Sequence, residues 1–173
     1  MIILGIDPGT AITGWGVIEA QDKIPGRGDR MQAVDYGCIK TDNQTDFPRR
    51  LETIYRELNS IIKKYHPDEA AVEELFFAKN VKTALTVGQA RGVVILAAVN
   101  AGLKIAEYTP LQVKQALSGY GRAEKQQIQK MVKVFLCLKD IPKPDDVADA
   151  LAVAICHINS RKIKNVYERI KER

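Results

Sequence analysis

Residues 1–18 read M-I-I-L-G-I-D-P-G-T-A-I-T-G-W-G-V-I, and the reading of this stretch sets the arrangement of the rest. Met1 to Ile6 is an apolar run of strand length and Asp7-Pro8-Gly9 is a turn signal, so Asp7 belongs where a buried strand leaves the core. Ile12 to Ile18, with Trp15 and Val17 among small residues, predicts the returning strand of a hairpin. Asp-Pro-Gly is equally the composition of a turn in which the Asp side chain bonds local backbone. Acidic residues further along make Asp7 a candidate for chemistry.

Outward from the hairpin, a third strand is expected near 32–40, after a breaker-rich loop at about 21–31 that makes an antiparallel meander the simplest topology. Leu51, Ile54, Leu58, Ile61 and Ile62 then recur at helical spacing within 47–65. Asp46 suits the N-cap there, with Pro48 in the first turn and Pro67 beyond the end. A strand at 69–75, a helix at 81–100 and a strand at 103–108 follow. Helices at 111–117 and 124–138 come next, and a last helix runs from Pro144 to about Asn159. The predicted fold class is α/β, a mixed five-stranded sheet with helices on its faces: a three-strand antiparallel meander plus two parallel strands.

Two acidic stations lie downstream of Asp7. Glu73 sits in an apolar strand between Val72 and Leu75, where a carboxylate is costly unless paired, hydrogen-bonded or metal-bound. Asp145-Asp146-Val147-Ala148-Asp149 opens the last helix. Asp145 suits the N-cap, while Asp146 and Asp149, three apart, share one helix face with Cβ atoms ~5–6 Å apart. Capping accounts for Asp145 and partly for Asp146, but poorly for Asp149. Four carboxylates in one cleft repel each other and are stable as anions mainly when divalent cations neutralise them. Oxygen ligands without His or Cys point to Mg²⁺ or Mn²⁺ rather than zinc, and two such ions suit phosphodiester hydrolysis. His66 and His157 are expected to be surface or packing residues.

At 173 residues, with 46% apolar and 27% charged, the chain is expected to form one globular domain over 1–159 and a basic tail over 160–173. The three cysteines lack metal or disulfide spacing, as in a reduced intracellular protein. No leader precedes the first strand and the apolar run at 92–99 is short, so a soluble, cytoplasmic protein is expected. Of the net charge of +5, the tail supplies six Lys and Arg against Glu168 and Glu172. Residues 76–106 and 111–135 are basic as well, and basic surface beside an acidic cluster suits a phosphate backbone.

The motifs I-L-G-I-D-P-G-T-x-x-T-G-W-G-V-I, A-V-E-E-L-F-F-A-K-N, G-Q-A-R-G-V, Q-V-K-Q, A-E-K-Q-Q and D-D-V-A-D-A-L-A occur in order over nearly all of residues 1–159. Together they resemble the RuvC family, bacterial Holliday junction resolvases of the ribonuclease H-like fold. The resemblance implies catalytic, metal-holding acids at Asp7, Glu73, Asp146 and Asp149. It also implies a junction-centre aromatic at Phe76 and DNA contacts at Lys114 and Lys125. Further implications are a homodimer, Mg²⁺ dependence with two ions per site, paired symmetric nicks in four-way DNA, and RuvA and RuvB as partners. The helix at 81–100, with Gly88, Ala90 and Gly92, is the expected subunit interface. The 21–31 loop and the basic tail depart from the family pattern. Two other readings stand beside this one: a noncatalytic nucleic-acid-binding module, and an ATPase-like nucleotide binder whose phosphate loop D-x-G-T resembles.

Overall fold

The computed structural model describes residues 1–21, 30–75 and 81–171, the side chains of 81–82 and 162–171 excepted. Strands β1 (Ile2–Asp7), β2 (Ile12–Gln21) and β3 (Arg30–Lys40) form the antiparallel meander. Strands β4 (Glu69–Glu73) and β5 (Lys104–Tyr108) extend it from β1 in parallel, in the order β3-β2-β1-β4-β5. Between and after them lie α1 (Phe47–Tyr65), α2 (Val81–Asn100), α3 (Pro110–Ser118), α4 (Lys125–Phe135) and α5 (Asp145–Lys171).

Side-chain alternation along the strands divides the apolar residues between two cores. Leu4, Ile6, Val17 and Val72 pack with Ile54 and Leu58 of α1 and Val94 of α2. Ile3, Ile18 and Ala71 face the opposite way, against Val113 of α3, Val132 of α4, and Leu151 and Ile155 of α5. From Val147 to Ile158 every residue of α5 except Asp149 is buried. A helix apolar all round belongs inside a fold, and this one lies across the sheet.

Several local expectations need adjustment. Asp46 occupies the N-cap of α1, but its side chain makes no capping bond. The helix ends at His66, whose φ of 45° is left-handed and whose N–H donates to the Ile62 carbonyl. Strand β4 stops at Glu73 rather than at residue 75, because its partner β5 ends at Tyr108. Helix α5 continues to Lys171, so the expected break near Asn159 is not a break in the backbone.

Of the small residues expected on the outer face of α2, Gly92 is exposed and Gly88 half-buried, whereas Ala90 faces the core. Ala90, Ala97 and Ala98 turn inward and are buried, because small side chains let the helix approach the domain. Leu85, Leu96 and Val99 are 66%, 53% and 56% exposed, in a stripe that includes Gly92. Residues 83–100 are long and apolar enough to cross a membrane. Val94 and the three alanines nevertheless seat this helix in the domain's own core.

Candidate active site

The β1–β4 register, Gly5 beside Ala71 and Ile6 beside Val72, makes Asp7 and Glu73 the ends of neighbouring parallel strands. Gly5 and Ala71 face α5, and alternation turns the acids two residues later to the same side. Their carboxyls come within hydrogen-bonding reach of each other. The segment leaving β1 is braced separately. Thr13 Oγ1 donates to the Gly9 carbonyl at 2.7 Å, and Arg50 Nη2 donates to the Thr10 carbonyl at 2.9 Å.

Missing side chains bring the third station in. A Cβ on Gly5 would lie 2.9 Å from the Ala154 nitrogen and overlap the Ala150 carbonyl, so α5 lies directly on β1. Gly14, paired with Asp7 across the hairpin, leaves the same room for the Asp146 carbonyl. The first turns of α5 therefore rest beside Asp7. Glycines at such positions permit an approach that any side chain would block. In the sequence Gly5 falls within an apolar run and Gly14 among the small residues around Trp15. The signal available there is the alternation at Gly14 and Gly16, which strips one face of β2.

Burial pushes the Asp7 carboxyl up to about 8, and the nearby Glu73 and Asp149 carboxylates push the same way. Burial also raises Glu73, with Asp149 adding to the rise while its bond to Asp7 and the charges of Lys125 and Lys114 oppose it. For Asp149 burial again dominates, against the Lys125 ammonium. Crowded in this way, the Asp7 and Glu73 carboxyls resist carrying two negative charges at once. Glu73, Asp149, Lys114 and Lys125 line one cleft of about 200 Å³, with Val113, Ile128 and Ala152 as apolar wall. Lys125 Nζ lies 2.9 Å from Asp149 and 3.4 Å from Asp145.

The donors are oxygen atoms of carboxylates, the chemistry of a hard divalent ion. Among the described residues, no three acidic, His or Cys side chains are already gathered as a ligand shell. Asp149 is tied instead to the protein's own ammonium. Crowded carboxylates whose ionisation burial and mutual repulsion oppose, one of them already drawn to a lysine ammonium, attract positive charge, so the residues fit a cation. His157 is no part of this. It is buried, with Nδ1 2.8 Å from the Tyr108 hydroxyl and Nε2 2.7 Å from Glu69.

A family model described as crossover junction endodeoxyribonuclease RuvC matches residues 3–157. The chain belongs to the RuvC family. A crossover junction endodeoxyribonuclease RuvC from Heliobacterium modesticaldum is 61% identical over 160 residues, covering 92% of this chain and 95% of the relative. The Thermus thermophilus RuvC structure superposes with a TM-score of 0.86 at 35% identity, covering 95% of this chain and 97% of that one. The same protein in complex with Holliday junction substrate gives 0.84 at 32% identity, with 94% and 96% covered. The five-stranded mixed sheet is thus the RuvC fold.

Of the residues singled out from sequence, the RuvC fold brings Glu73, Asp146 and Asp149 within electrostatic reach of Asp7. Lys114 and Lys125 line a cleft with two of them, Glu73 and Asp149. Phe76 falls outside the described residues, as does most of the 21–31 loop.

Proposed function

We propose that this chain is a metal-dependent endonuclease that resolves four-way DNA junctions by paired symmetric nicks, leaving 5′ phosphates. The observation that carries this reading is one cleft in which the half-buried carboxylates Glu73 and Asp149 adjoin two lysines, with Asp7 crowded against Glu73 beside it. Asp7, Glu73, Asp146 and Asp149 would hold two Mg²⁺ ions, with Mn²⁺ able to substitute. When bound, the ions supply an activated water and charge for the departing oxygen. Lys114 and Lys125 contact the DNA phosphates and set its register, and Phe76 disturbs stacking at the crossover. Val113, Ile128 and Ala152 give this cleft an apolar wall beside the carboxylates. The exposed stripe of α2 is the homodimer face, giving two clefts for two strands. RuvA and RuvB, the cytoplasm and chromosomal DNA repair complete the assignment.

The test is nicking of a labelled four-way junction, with and without Mg²⁺, beside a duplex control and the Asp7→Asn variant. Paired nicks by the wild type alone, only with Mg²⁺ and only on the junction, are the expected result. Junction binding without nicking under any metal would select a noncatalytic binding module. Tight ATP binding in dialysis would select the nucleotide-binding alternative.

A further inference from the structure

The end of β4 is also held from the α2 side. Arg91, on α2, donates from Nε to the backbone carbonyl of Glu73 at 3.2 Å, and its Nη2 pairs with the Glu107 carboxylate of β5. Its side chain is 19% exposed, so the guanidinium is largely withdrawn from water into these contacts. Register sets Val72 beside Glu107 and Glu73 beside Tyr108, and one guanidinium spans this last rung. The Glu74 N–H closes the rung on the Tyr108 carbonyl at 2.8 Å. A planar fork can serve a carbonyl and a carboxylate at once, which a lysine ammonium at the same place does poorly. Three residues before Arg91, a Cβ on Gly88 would lie 3.4 Å from the Leu75 side chain. Helix α2 therefore touches the chain at Glu73 and again just beyond it.

We infer that Arg91 is the positioning residue for Glu73. It fixes the carbonyl of the strand's last residue, and with it the direction in which the Glu73 carboxylate leaves β4 toward Asp7. The seating of α2, whose outer stripe is the proposed dimer face, is thereby linked to the placement of a metal-holding acid. This rests on the reading of Glu73 as a metal ligand. Removing a group that orients a ligating carboxylate typically costs about 10–100-fold in metal affinity.

The test is Mn²⁺ binding by the full chain, read from the electron paramagnetic resonance signal of free ion, with circular dichroism as the folding check. Glu73→Gln is the control and should lose most binding. Arg91→Gln should weaken Mn²⁺ binding by about tenfold or more. Arg91→Lys keeps the charge near Glu107 and should still weaken it, because one ammonium replaces the fork. If Arg91→Gln fails to fold, Arg91→Lys decides alone. Wild-type affinity in the folded Arg91 variants, with Glu73→Gln defective, overturns the positioning role and leaves the metal reading intact. Wild-type affinity in Glu73→Gln overturns the metal reading itself, and the positioning role with it.

Discussion

A carboxyl pushed well above its ordinary range weakens a fold wherever it must be charged and no cation answers it. Asp7 is such a group, raised from 3.8 to about 8 by burial first and by the Glu73 and Asp149 carboxylates next. Below pH 4 both folded and unfolded chains carry its proton. Between pH 4 and 8 the folded chain keeps a proton that the unfolded chain has released, so stability falls as pH rises through that window and levels off above it. Asparagine resembles the protonated acid at every pH. In chelator, Asp7→Asn should gain on the wild type between pH 4 and 8 by an amount on the order of a few kcal/mol, and Mg²⁺ should narrow the gap. Urea midpoints at three pH values would check this, and a gap that does not change with pH would refute it. Among the cations, Lys114→Ala and Lys125→Ala should each flatten the slope of log junction affinity against log salt by up to ~0.9. Binding titrations at several salt concentrations measure that slope, and an unchanged slope would mean solvated lysines without phosphate contacts.

At the scale of elements, the seat of α5 on β1 and β2 is what brings Asp146 and Asp149 to Asp7. A methyl group at Gly5 or Gly14 would strike the backbone of α5, which cannot move as a flexible side chain would. Gly5→Ala and Gly14→Ala should each cost about 1–3 kcal/mol in urea unfolding. Gly14→Ala should also lower nicking by the folded fraction, because Asp146 is the group displaced. Unaltered stability in both would mean that α5 shifts freely. The elements themselves were legible because their periodicities are strong: Leu51 to Ile62 at helical spacing, and an apolar run ending at Asp7. The acids were legible because each stands at an element's end beside apolar neighbours. What stayed hidden depends on partners distant in sequence. Nothing near Arg91 announces that it reaches the Glu73 carbonyl, and nothing near Ala90 says that the alanines of α2 face inward while Gly92 faces out. The end of β4 was likewise set by β5, which no local pattern of Glu69 to Leu75 contains.

For the molecule as a whole, the outstanding feature is the apolar stripe on α2. Leu85, Leu96 and Val99 are each more than half exposed, on a helix whose opposite side is buried in the core. An exposed apolar stripe of this kind suits the proposed homodimer face, since a self-complementary two-fold face is the commonest form of association. Leu96→Glu should therefore turn a dimer into a monomer in sedimentation, with the domain still folded. Paired cutting of a junction should fall more than single nicking, since two clefts would no longer arrive together. A wild-type monomer that makes paired cuts would remove α2 from this role.

Helix α5 carries two of the acids on a shaft whose residues from Val147 to Ile158, Asp149 excepted, are buried. Such a shaft has no partial way out: its amides reach solvent only when the layers on both sides come apart. Hydrogen–deuterium exchange at Ala150 to Ile155 should thus be among the slowest in the chain and should track global unfolding in denaturant. The half of the site borne by this helix would then last as long as the fold itself, and adaptation would be left to lysines and loops around it.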